Sequence, residues 1–346
     1  MKMGHFISFG MGGASKVIEN LVRGLATCSP HELVLFYNDQ SIPGWSPGLD
    51  KNVPIYSRFN NYTKDFELIK IDDISLLNNY GLDVLNVHRP GNSTWELPGF
   101  DTTKFNFKII ETNLHGFTKT QADYRIFPSY TMIEGKNINV PYEVIPNPIR
   151  RPVTVDNMRD ELNIKDKFVY GRFGRPSKMI YSTINLEAYR MIEDDTTVFL
   201  YAAPHSCARS DAQRLEIKNI IFLDPTVDEM QISRMYNTFD VYCHSNSVGE
   251  TFGCTVAEAM IHGKPIVSHI GSPKWPQAQI EVLGDMSDMC VRSDFVNKYA
   301  ALMKKLKDDK LFYDMVANYV SDRANALYDF EKVAQKYVEV YQKCLS

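Results

Sequence analysis

The chain has 346 residues with ordinary apolar and charged fractions, enough for about two domains. A net charge of −4 excludes the strongly basic surface of a nucleic-acid binder and gives an anionic membrane little to attract. The six cysteines include no C-x-x-C pair, which argues against a zinc site, and no apolar run approaches the roughly 18 residues of a membrane helix. The expectation is a soluble cytoplasmic protein with free thiols, either free or peripheral to a membrane.

Short apolar runs alternate with helical patterns along nearly the whole length, the pattern of parallel sheets with crossover helices. In the first half the predicted strands are His5–Phe9, Glu32–Tyr37, Asp83–Val87, Phe107–Thr112, Arg125–Phe127 and Glu143–Ile145. A helix is predicted over Ser15–Ala26, because Val17, Ile18, Leu21, Val22 and Leu25 share one face. Residues from Asp39 to Tyr62 are rich in Pro, Gly, Asn and Ser and read as loop. The run Pro146-Asn147-Pro148-Ile149-Arg150-Arg151-Pro152 breaks helix and strand alike and marks a domain boundary.

The second half repeats the scheme, with strands at Phe168–Arg172, Thr197–Tyr201, Ile220–Leu223, Val241–His244, Pro265–His269 and Met289–Val291. Phe295, Tyr299, Leu302 and Leu306 mark an amphipathic helix, and after about Asp322 the chain reads only as helix. The division is therefore residues 1–148, 149–325 and a terminal helix over 326–346.

The strongest chemical signal is Gly249-Glu250-Thr251-Phe252-Gly253-Cys254-Thr255-Val256-Ala257-Glu258-Ala259-Met260, which follows a strand and opens a helix. Residues 253 to 256 supply the first unpaired N–H groups of that helix, which favour a phosphate. Glu250 lies in the loop before the helix and Glu258 about one turn inside it, so the two carboxylates flank that phosphate position. This suits a sugar nucleotide, with sugar hydroxyls at Glu250 and ribose hydroxyls at Glu258. The plainer alternative is a loop glutamate and a helix-start glutamate that merely suits the dipole.

Ser245, Glu250-Thr251-Phe252-Gly253, Glu258-Ala259-Met260 and Gly263-Lys264-Pro265-Ile266-Val267 together resemble the signature of the large E-x7-E retaining glycosyltransferases. Asp224-Pro225, Val144-Ile145-Pro146-Asn147-Pro148 and Gly10-Met11-Gly12-Gly13-Ala14 extend the resemblance over most of the chain, most weakly between residues 40 and 85. It implies the GT-B fold, with two Rossmann-like domains facing each other across a cleft. It implies transfer of a hexosyl or pentosyl group from a UDP- or GDP-sugar to a glycan or other hydroxyl acceptor. The anomeric configuration would be retained, and the terminal helix would pack back on the first domain.

Tyr170-Gly171-Arg172-Phe173-Gly174-Arg175-Pro176-Ser177-Lys178 follows the first strand of the second half. The resemblance implies an Arg and a Lys here that stabilise the leaving diphosphate. An extra residue in this copy makes Arg175, rather than Arg172, the expected phosphate ligand beside Lys178. With those cations, and with no D-x-D motif after a strand, neither a metal nor any other cofactor is expected. By the same resemblance the backbone at Gly12 and Gly13 approaches the donor, as do Phe252, Gly253, Thr255 and Val256.

His115 is the expected catalytic or acceptor-side histidine and His88 an acceptor-side one. Of the eight histidines they are the two read at strand ends that open toward a ligand. Trp45 and Trp95 could stack on an acceptor sugar. Three rivals remain at this point. A sugar-nucleotide epimerase would need more acid–base groups. A nicotinamide oxidoreductase would have to accept Ser15 in place of the third fingerprint glycine. An inactive glycan-binding relative would not need the charged residues at 175, 178, 250 and 258.

Overall fold

The computed structural model describes residues 1–7, 13–28, 31–37, 66–71, 73–89, 102–115, 121–292 and 294–346. The expectations at Ser8, Phe9, Gly10, Met11, Gly12, Trp45, Trp95 and the loop 39–62 lie outside these residues. Two compact units form: residues 1–149 with 327–346, and residues 150–326.

The first unit is built on a seven-stranded sheet, with strands β1 Lys2–Ile7, β2 Glu32–Tyr37, β3 Glu67–Lys70, β4 Val84–Arg89, β5 Lys108–Asn113, β6 Tyr124–Phe127 and β7 Tyr142–Val144. Their spatial order is β3-β2-β1-β4-β5-β6-β7. All neighbours run parallel, with Met3 opposite Leu33 and Val84. Parallel strands have both faces covered, which is why β1 and β2 read as continuous apolar runs rather than alternating ones. β3 is the strand the sequence pattern did not reveal. Its residues are half-buried or exposed, so burial imposes no apolar run on an edge strand of four residues.

Helix α1, Gly13–Thr27, buries Val17, Ile18, Leu21, Val22 and Leu25, the face its spacing predicts. It packs against the terminal helix α9, Phe330–Leu345. A Cβ at Gly24 would stand 2.5 Å from the Phe330 carbonyl oxygen, so only glycine admits this approach. α9 buries Val333, Ala334, Tyr337, Val338, Val340 and Tyr341 and is capped by Asp329, whose carboxylate accepts the Lys332 N–H. The segments by which the chain leaves and re-enters this unit lie side by side: the Ile149 N–H donates to the Tyr328 carbonyl and the Phe330 N–H to the Ile149 carbonyl.

The second unit carries a six-stranded parallel sheet of β8 Phe168–Arg172, β9 Thr197–Ala202, β10 Ile220–Leu223, β11 Val241–Cys243, β12 Ile266–Ile270 and β13 Cys290–Arg292. Its order is β10-β9-β8-β11-β12-β13. In both sheets the first strand lies between the second and the fourth, the doubly wound Rossmann order, whose switch point falls between those first and fourth strands. The helices are α2 Ile184–Ile192, α3 Ser206–Arg214, α4 Glu229–Thr238, α5 Cys254–Ile261, α6 Ala278–Leu283, α7 Val296–Asp308 and α8 Lys310–Leu327. In α7 the buried side chains are Tyr299, Ala300, Met303 and Leu306. Phe295, expected on that face, is instead the exposed residue at its N-cap.

Tyrosines supply much of the largest core volume of the second unit: Tyr170, Tyr189, Tyr236, Tyr242 and Tyr299 are all fully buried. A buried phenol must find a partner. Tyr170 donates to the Met303 carbonyl, Tyr242 to the Phe173 carbonyl and Tyr299 to the carbonyls of His244 and Val267. Two of these bonds brace segments at the carboxyl ends of β8 and β11. No helix among the described residues is long and apolar enough to cross a membrane.

Candidate functional site

A concavity opens at the carboxyl ends of β8, β9 and β11, where a doubly wound sheet offers its ligand site. Its lining includes Arg172, Arg175, Tyr181, Tyr201, His205 and Ser245. Its empty space, counted with the solvent at its mouth, is about 250 Å³.

Two arginines share that lining. Arg172 ends β8 and is buried; its Nη2 donates to the Ser245 carbonyl at 2.9 Å, its Nε reaches the Ser245 hydroxyl, and its Nη1 donates to the Phe173 carbonyl. These bonds fix the guanidinium as a constant positive charge beneath the pocket. Arg175 lies in the loop beyond β8 with its side chain toward solvent. Partial desolvation pulls its guanidinium down and the Glu250 charge opposes that, so it remains a cation at any working pH. Arg172 is thus in the site alongside the expected Arg175. Lys178 begins the short 3₁₀ turn Lys178–Ile180 and is exposed, and it is not among the lining residues.

Glu250 sits in the loop between β11 and α5. Its backbone is clamped: its N–H donates to the Pro276 carbonyl, and its carbonyl accepts the Ala278 N–H. Its carboxylate Oε1 accepts from Asn246 Nδ2 at 2.8 Å and lies 3.0 Å from His244 Nε2. Burial alone would raise the Glu250 carboxyl, but the His244 and Asn246 contacts and the Arg172 charge outweigh it and hold it below the usual range. Burial also lowers His244, more than its bond to Glu250 raises it. The pair is therefore a carboxylate beside a neutral imidazole.

Three residues on, Gly253 caps α5 with φ +95°, a left-handed conformation that L side chains rarely adopt. This turn lets the chain pass from the Glu250 loop into a helix start without a side-chain cap. Phe252 and Val256 are core residues and Thr255 is half-buried, and the Val256 N–H donates to the Gly253 carbonyl. Glu258 is buried inside α5, and its Oε2 accepts the Tyr236 hydroxyl at 2.8 Å. Tyr236 is itself stacked on His262, with ring centroids 5.0 Å apart.

The expected residues of the first unit fall differently. Gly13 is the first residue of α1 and exposed, and His115 is exposed just beyond β5. His88 lies on β4 with no exposed surface; its Nε2 is 2.9 Å from Nδ1 of His5, also fully buried, on β1. Besides His88 and His115, His244 also stands at a strand end, directly after β11. Its position after a strand was legible; its partners were not, because they depend on how the Glu250 loop folds back. Asn246, Tyr236 and Tyr242 also went unnoticed, since a tyrosine in an apolar pattern reads as core. Among the described residues no three His, Cys, Asp or Glu side chains gather as a metal site would require.

Residues 157–315 match the family model of glycosyl transferases group 1, a span within the second unit that contains both Glu250 and Glu258. No curated protein matches the sequence. Solved structures align over essentially the whole chain. HepE of Anabaena, crystallised with UDP and glucose, superposes with TM-score 0.72 at 15% identity, covering 99% of this chain and 100% of that one. A glycosyltransferase from Rickettsia africae gives 0.75 at 10% identity, covering 100% and 98%. Sucrose-phosphate synthase from Thermosynechococcus elongatus gives 0.71 at 13%, covering 99% and 98%. At such identities the likeness speaks for the fold, two Rossmann-like domains in the GT-B manner, and with the family match it supports a place among these transferases.

Proposed function

We propose that this chain is a glycosyltransferase that moves a sugar from a nucleoside diphosphate, in the first instance UDP, to an acceptor hydroxyl. We further propose that it does so with retention and without a divalent ion. The observation that carries this is the convergence of Arg172 and Arg175 on one pocket at the second unit's switch point, with the Glu250 carboxylate in electrostatic range of both. The match of residues 157–315 supports the reaction class, and HepE, crystallised with UDP-glucose, supports the donor class.

In this reading the anomeric C–O bond to the diphosphate breaks heterolytically and its electron pair stays on the phosphate oxygen. The two arginines and the positive end of the α5 helix dipole stabilise that charge. The acceptor oxygen forms the new bond on the same face, and its proton passes to the leaving phosphate. Glu250 accepts hydroxyls of the transferred sugar and Glu258 those of the ribose. The two glutamates flank the donor and do not act as a glycosidase acid–base pair. In this reading Lys178 serves the leaving diphosphate and His115 the donor sugar or the acceptor.

The deciding experiment is a thermal-shift screen of the full chain against UDP, GDP and ADP and their sugars. A positive donor is then followed to product by NMR, with and without EDTA. Stabilisation by UDP-sugars, an unchanged anomeric configuration and EDTA-resistant turnover are expected. Inversion, or activity lost on chelation and restored by manganese, overturns the corresponding part. Release of an epimerised nucleotide sugar without acceptor would replace the reading altogether.

A further inference from the structure

His244 takes part in none of the steps just described, yet it is among the most firmly held side chains in the second unit. Its backbone N–H donates to the Val267 carbonyl, and its carbonyl accepts the Tyr299 hydroxyl. Its ring is 1% exposed. One ring nitrogen, Nδ1, is 2.8 Å from the hydroxyl of Ser268 on β12, and the other, Nε2, is 3.0 Å from Glu250 Oε1.

A serine, a histidine and a carboxylate in line invite comparison with a nucleophilic triad. The burial rules that out: Ser268 has no exposed surface, so its hydroxyl reaches no substrate. The line runs the other way, from the core outward to Glu250. With Asn246 Nδ2 also on Oε1, that oxygen has two neighbours, while no bond from a described residue reaches Oε2. A glutamate has three side-chain torsions to fix, and a carboxylate contact is precise only if something holds them.

Building on the reading of Glu250 as the contact to the donor sugar, we propose that His244 is its positioning residue. The Ser268 hydroxyl donates to Nδ1, which sets the tautomer; Nε2–H then donates to Oε1 and turns Oε2 toward the hydroxyls of the sugar. The same tautomer control by a buried hydrogen bond is known from histidines that serve as bases or metal ligands.

The charged and titratable groups that face Glu250 are His244 itself, Arg172 at the end of β8, Arg175 in the following loop, Tyr242 on β11 and His269 on β12. Burial presses His269 down to about 3, so it stays neutral. Removing the His244 donor leaves burial less opposed and lifts the titration of Glu250.

The test uses the full chain and its variants His244→Leu, His244→Gln and Ser268→Ala, with UDP and UDP-glucose as probes. UDP affinity should stay within about twofold in all, since Glu250 lies on the sugar side. In His244→Leu the gain of UDP-glucose over UDP should vanish, kcat should fall tenfold or more, and the acid limb of kcat/KM should move up in pH. His244→Gln, which keeps a donor, should recover most of these losses. Ser268→Ala leaves the ring and frees its tautomer, so it should show a smaller change of the same kind, and it carries the test if the leucine variant does not fold. The proposal fails if His244→Leu keeps both the sugar increment and the acid limb, or if glutamine rescues nothing. If the wild-type chain binds UDP-glucose no more tightly than UDP, the reading of Glu250 falls and takes this proposal with it; binding by the wild type with indifferent variants removes this proposal alone.

Discussion

Each unit places a histidine on, or directly after, the fourth strand of the same sheet topology, beside a polar residue on the first strand. In the first unit His88 on β4 meets His5 on β1; in the second, His244 after β11 lies near Arg172 at the end of β8. Two buried imidazoles can only share one proton as donor and acceptor, so the first pair carries no charge. The second unit answers its histidine with a carboxylate and adds a fixed guanidinium, which turns the same topological position into a charged site. The fold offers a switch point twice, and side-chain chemistry decides which one can hold an anion.

The largest effect should separate the two units by kind. Glu250→Gln should lower turnover by about 10²–10³, or roughly 2.7–4 kcal/mol, the cost of losing a group matched to the transition state. UDP binding measured by calorimetry should hardly change. His88→Asn in the first unit should instead lower the melting temperature while leaving kcat of the folded protein near wild type. A folded Glu250→Gln enzyme with full activity, or an unchanged melting temperature for His88→Asn, would break the comparison.

Next in size is Glu258→Ala, which should weaken UDP binding by about 1.5–3 kcal/mol, the value of hydrogen bonds to a charged group. An unchanged dissociation constant would return Glu258 to the role of a helix-start charge.

Acid should then act on both units alike. His5 and His269 are pressed by burial to about 3, and His88 and His244 are lowered too, each from an ordinary value of 6.5. Below pH 6.5 the unfolded chain takes up protons that the folded chain refuses, so stability falls as pH falls. Each histidine contributes about 1.4 kcal/mol per pH unit until its folded value is reached. Denaturant unfolding at pH 7.5 and 5.5 checks this; equal stabilities would mean that these rings charge inside the fold. The smallest change is expected from Tyr236→Phe, which removes the hydroxyl on Glu258 Oε2 and should cost UDP binding about 1 kcal/mol.

The strand–helix alternation, the α1 face and the helix opened by Gly253 were readable because each depends on local spacing. Glu32–Tyr37, Phe168–Arg172 and Ile220–Leu223 lie where their apolar runs put them. β3 was not readable, since Glu67–Lys70 is too exposed to need an apolar pattern. The site was half legible. Arg175, Glu250 and Glu258 belong to a motif, whereas the roles of Arg172 and His244 come from contacts across strands. Arg172 bonds Ser245, and His244 bonds Ser268 on a neighbouring strand; spacing along the chain does not encode such pairings.

The return of α9 to the first unit has a consequence for biosynthesis. The second unit is one uninterrupted stretch, complete once residue 326 has left the ribosome. The first is not, because the faces of α1 and β4 that receive α9 stay uncovered until residues 330–345 emerge, and the Asn86 amide waits for the Tyr341 hydroxyl oxygen that accepts its proton. At 5–20 residues per second, the interval from residue 149 to residue 330 is roughly ten to forty seconds. During that time the nascent chain carries an exposed apolar face on its older half while the younger half is still being made. The older half is therefore the one that a chaperone would be called on to shield.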